Sequence, residues 1–173
     1  MRRGRSGWIC SQACRWLAGL ETGVWAGLAM LGWFALTTAW THRSIWEAPT
    51  RLGSLFYRNA PWSGFSGATL AGMALHLAAS GGVGVLFSCL AREGRNRLPV
   101  SLWGILTGLT WYYLSYLLLW RRLGVPPASQ PQASLLAAYL IFGAVLSWYP
   151  RRLRSAEQHL RAQPPPPPPP AES

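Results

Sequence analysis

His76 is the residue with the most chemistry to offer, because it stands inside an uncharged apolar run from Gly67 to Leu90. Hydrocarbon makes a bare polar group costly, so an ionisable side chain at such a depth is a functional hypothesis by default. Three chemistries are open to it: a hydrogen-bonded structural role, proton or substrate conduction, and ligation of haem or a metal. Bis-histidine haem would need a second histidine at similar depth, and the other two, His42 and His159, fall in a loop and in the tail. The preferred expectation is a neutral, buried His76 hydrogen-bonded within a helical bundle to a tyrosine, a serine or a backbone carbonyl. At 1.5 Å per residue it lies about 13 Å from one face of a core about 30 Å thick, and Glu21 lies about 6 Å from the other, so the two do not pair. Tyr112, Tyr113 and Tyr139 fall at roughly the depth of His76, which predicts a histidine and tyrosine cluster.

The remaining chemistry is sparse. Cys10 and Cys14, with Cys89 and His159 at the same side, match a zinc site only loosely, since C-x-x-x-C is not a usual ligand spacing. The five acidic residues are all Glu, and no nucleophile elbow, phosphate loop or paired-carboxylate arrangement occurs. No catalytic residue, metal or cofactor is assigned, and the chain is read as lacking enzymatic activity.

The elements that would position His76 are set by the 16 arginines. None falls inside the stretches 17–40, 67–90, 99–120 and 133–149, as expected of spanning helices, where a central arginine costs roughly 2.5 to 3.5 kcal/mol. The expected fold is all-α: a polytopic bundle of four transmembrane helices, with a basic N-terminus over 1–16 and a basic, then proline-rich, disordered tail over 151–173. A net charge of +11 could suggest nucleic acid. Here, however, the arginines flank apolar segments where lipid phosphates lie, which makes the bilayer the expected partner. Eleven arginines at the N-terminus, second loop and C-terminus, against five in the first and third loops, place both termini on the cytoplasmic side. The three cysteines fall on that reducing side as well, so no disulfide is expected.

Helices in lipid gain little by burying leucine against leucine and associate through small residues. Gly19, Gly23 and Gly27 recur every fourth position in the first span, and Gly104 and Gly108 do so in the third. The second carries a longer stripe, Gly64, Ala68, Gly72, His76, Ser80, Gly84 and Ser88, which predicts a tightly buried face. Such faces close the bundle on itself or join it to a second copy or another membrane protein. The fourth span is short and is expected to stand upright and end at Pro150.

In the first loop, Trp46, Glu47 and Pro49 precede Leu52, Leu55 and Phe56 at helical spacing. This predicts a short interfacial helix opened by Pro49, serving as a cap over the bundle or as a binding lid. A loop tryptophan and proline, an interfacial helix, and then Gly72, His76, Ser80, Gly81 and Gly84 resemble uncharacterised four-span bacterial inner-membrane proteins. The resemblance implies a bacterial inner membrane and no particular activity. The tail carries seven consecutive prolines, an extended rod without internal hydrogen bonds. A small structural or accessory membrane component is the expected function. A transporter or proton-conducting oligomer built around His76 is the alternative, and a membrane-embedded enzyme ranks last.

Overall fold

The structure, a computed structural model, describes residues 3–57, 64–91, 99–123 and 131–162. Arg58, the second loop with Arg92, Arg95 and Arg97, and the proline run lie outside them. The described residues fold into helices without a strand: α1 Arg3–Trp40, α2 Glu47–Gly53, α3 Gly67–Leu90, α4 Val100–Ser115, α5 Gln132–Leu146 and α6 Tyr149–Ala162. A π-helical segment, Tyr116–Arg122, prolongs α4. Four stretches, Gln12–Trp40, Gly67–Leu90, Val100–Leu119 and Gln132–Ser155, are long and apolar enough to cross a membrane.

Helix α1 occupies the middle, with α3 packed on one side and α5 on the other, while α4 packs on α5 and α2 on α3. Helices α3 and α4 barely touch, so the ring of helices stays open between them. Polar side chains along these apolar helices are satisfied locally. Thr22, Thr38 and Thr107 each donate to the carbonyl four residues back, at 2.6, 2.6 and 2.8 Å.

Several boundaries differ from the expectation, each for a physical reason. Helix α1 begins at Arg3, because no proline interrupts the chain ahead of the span and the basic N-terminus continues its helix. Gly64 lies ahead of α3, so the stripe runs within the helix only from Ala68. Pro150 does not end the helical path. It sits in the first turn of α6, where its missing N–H would have had no intrahelical partner. Residues up to Ala162, expected in a disordered tail, are therefore helical. Helix α6 is amphipathic and docks on α1 through Leu153, with Tyr149 edge-on to Phe87 at 5.9 Å.

Helix α1 stops in a Schellman turn. Arg43 N–H donates to Thr38 O at 2.9 Å and His42 N–H to Ala39 O at 3.1 Å, with His42 at φ 54° in the left-handed region.

Candidate functional site

His76 is placed by two small-residue seams, which are the local reason it is buried. Ala68, Gly72, His76, Ser80, Gly84 and Ser88 are all buried along one face of α3. The face is shared between two neighbours. Toward the start of α3 it meets α2, where Gly72 lies under the Pro49 carbonyl and Gly53 under Ala68. Farther along it meets α1 in antiparallel register: Gly27 against Ser80, Gly23 against Ser80 and Gly84, and Gly19 against Gly84 and Ser88. A β-carbon at Gly84 would collide with the Gly19 carbonyl and the Gly23 backbone, so glycine is required by backbone approach. A second antiparallel seam closes α4 on α5, with Gly104 and Gly108 against Gly143 and the Tyr139 carbonyl. Sequence reasoning missed Gly143; its spacing of four from Ser147, which also meets Gly104, was the available signal.

The α1/α3 seam brings a backbone carbonyl to the histidine. His76 Nε2 lies 3.1 Å from Gly27 O, and because a carbonyl only accepts, Nε2 carries the proton and Nδ1 is left as an acceptor. Of the tyrosine, serine or backbone carbonyl expected to hold the ring, the partner is the carbonyl. Glycine at position 27 lets Ser80 press against the α1 backbone, and this close approach of α3 to α1 leaves the Gly27 carbonyl within reach of the ring. The tyrosines do cluster: Tyr112 is edge-on to Tyr139 at 5.3 Å and to Tyr113 at 5.4 Å. Tyr139 is buried, whereas Tyr113 is exposed on the outside of α4.

His76 and Tyr139 meet instead as walls of one cavity of about 280 Å³, between α3 and α4 and beneath α2. Among the described residues, its polar lining is confined to His76, Ser115, Tyr139 and Arg51. The rest is apolar, with Phe34 and Trp111 adding aromatic faces to that of Tyr139. The π-helical segment supplies Leu118 and Leu119. Its wider turn is visible in the bond from Leu123 N–H to Leu118 O at 3.0 Å, five residues back.

Helix α2 roofs this cavity. It opens at Glu47, with Pro49 in its first turn, and is folded onto α3 through buried Pro49, Thr50 and Gly53. The Thr50 and Thr69 hydroxyls, both fully buried, are 2.8 Å apart across this contact. Glu47 accepts from Arg51 at 2.6 Å, a pair one turn apart and largely shielded from solvent. Leu52 and Leu55 face the cavity, while Phe56 lies in the following turn and is exposed. Trp46 is held outside by an edge-on contact with Phe65 at 5.1 Å.

At the opposite end of the bundle, Glu21 accepts from Arg152 of α6 at 3.1 Å. Cys14 is buried and Cys89 is exposed. Among the described residues, no group of three His, Cys or Glu side chains converges as a metal site would require, and the side chains of Cys10 and His159 lie outside the description.

Comparisons with protein-family models, curated proteins and solved structures find no match for this chain. The functional reading therefore rests on geometry.

Proposed function

We propose that the chain is a four-span integral protein of a bacterial inner membrane, with both termini cytoplasmic, acting as a small accessory component rather than a catalyst. Support for the membrane comes from the four long apolar helices and from close helix association through glycine seams, the packing mode that lipid demands. Support for the orientation comes from the arginine asymmetry. The proposed partners are the bilayer and a second membrane protein, either another copy or a different chain.

The observation that carries the non-catalytic reading is the engagement of His76 with Gly27 O. The ring fastens α3 to α1 through the backbone, and its neighbours in the cavity, among the described residues, are apolar side chains, two hydroxyls and the guanidinium of Arg51 rather than a carboxylate. Conduction would need a titratable group reached by water, and apolar walls do not support a water file.

Two substitutions test this. His76→Gln keeps an N–H donor and should retain folding with unchanged proton permeability in liposomes. His76→Leu should lower stability by about 1 to 2 kcal/mol, because it removes a buried hydrogen bond. A pH-dependent proton flux in the wild type that disappears in His76→Gln would replace the accessory reading with a conducting one. Reporter fusions after Arg97 and at the C-terminus should both report cytoplasm.

A further inference from the structure

We propose that the cavity between α3 and α4 binds a neutral, lipid-soluble molecule with a flat hydroxylated ring, of the phenol or quinol class, whose hydrocarbon tail leaves between the two helices. This rests on the membrane reading above and assigns a ligand to the accessory component.

The ring is indicated by the walls. Phe34, Trp111 and Tyr139 present three aromatic side chains to one small space, and aromatic faces and edges favour a planar partner over a flexible chain. Tyr139 is fixed for this role, since its ring is buried and supported edge-on by Tyr112. The hydroxyl is indicated by His76. With Nε2–H committed to Gly27 O, the imidazole offers an acceptor nitrogen, which matches an O–H donor and opposes a carboxylate or a bare carbonyl. Neutrality is indicated by the charges, because Arg51 is neutralised by Glu47 at 2.6 Å and no other charged side chain among the described residues lines the space. About 280 Å³ is at the lower end of the range for small-molecule sites, room for a head ring but not for a long tail.

The tail's path is indicated by the packing. The helices on either side of the gap barely touch, and the gap is bordered by Leu75 and Ala79 of α3 and by Leu114 and Leu118 across from them. Leu114 and Leu118 are about half exposed, so the gap opens sideways onto the surface that would meet hydrocarbon. The π-helical turn that carries Leu118 belongs to a class of irregularity often found at ligand sites.

The test uses the purified full chain in detergent, with a decyl-substituted benzoquinol as probe and its quinone, decanol and oleate as comparators. Thermal unfolding should shift upward and saturably with the quinol, with an apparent affinity about tenfold tighter than for the quinone, the value of one hydrogen bond to His76. Ala79→Phe, which fills the space from the α3 side, should abolish the shift while leaving the ligand-free melting temperature equal or higher. Leu118→Trp fills it from the other wall and serves if Ala79→Phe does not fold. Equal shifts with decanol or oleate would overturn the ring assignment, and a shift that survives both filling variants would overturn the site. Flotation with liposomes separates the two readings: a chain that does not float defeats the membrane proposal, and one that floats but ignores the quinol defeats only the ligand.

Discussion

The α1/α3 seam and the α3/α4 gap share a helix, yet one brings backbones into contact and the other holds a cavity. The difference lies in which residues face each neighbour. Toward α1, helix α3 presents Ser80 and Gly84 to Gly19, Gly23 and Gly27, and the backbones meet. Toward α4 it presents Leu75 and Ala79 to Leu114 and Leu118, and the surfaces stand apart. In a hydrocarbon solvent leucine gains nothing by leaving lipid for leucine, so only small residues draw helices together. The same rule that closes the seams leaves the gap available to a ligand.

The largest effect should come from breaking the closed side. Gly84→Leu drives a side chain into the Gly19 carbonyl and the Gly23 backbone and should cost about 3 kcal/mol or more, since neither neighbour can yield without moving a helix. Leu86→Ala, two residues away and 65% exposed, should stay within about 0.5 kcal/mol. Unfolding in mixed detergent micelles measures both. Similar losses from the two would mean that α1 and α3 are held by something other than the seam.

Much of the frame was legible because its causes are local in sequence. Exclusion of arginine marks the apolar stretches, and fourfold spacing of small residues marks the faces where Gly27, Gly84, Gly104 and Gly108 lie. The partner of His76 was legible only as a class, a tyrosine, a serine or a backbone carbonyl, because a carbonyl leaves no trace in residue types that would single out Gly27. The cavity was not legible either, since it arises where two helices fail to meet and no motif encodes a missing contact. The helical path past Pro150 was not legible either, because a proline after an apolar run marks a stop as readily as it marks the first turn of a new helix.

Helix α6 sharpens the comparison, because it is attached in a different way. No glycine seam holds it; Leu153 and Tyr149 are buried at 3% and 2% exposure, and the Glu21 to Arg152 pair is about half exposed. An amphipathic helix held by apolar burial is what an aqueous boundary would favour, where leucine does gain by leaving its solvent. Leu153→Ala should then cost about 2 kcal/mol, whereas Glu21→Gln should cost less than about 0.5 kcal/mol, as exposed pairs do. A negligible effect of Leu153→Ala would show that apolar burial is not what holds α6 in place.

The smallest effect should come from a site that touches neither the seam nor the gap. His42 closes α1 in the left-handed region at φ 54°, where a β-carbon is disfavoured and glycine is the usual occupant. The two Schellman hydrogen bonds use backbone groups of Arg43 and His42, so they do not depend on the imidazole. His42 is exposed, so replacing it sacrifices no buried contact. His42→Gly should therefore stabilise the protein by up to about 1 kcal/mol, the relief of left-handed strain less the added freedom of the unfolded chain. Thermal unfolding in detergent should rise slightly while the quinol-induced shift stays unchanged, because both seams and the cavity walls are left as they are. A fall in stability would show that the His42 side chain makes a contact worth more than its backbone strain, and a loss of the quinol shift would tie the end of α1 to the cavity.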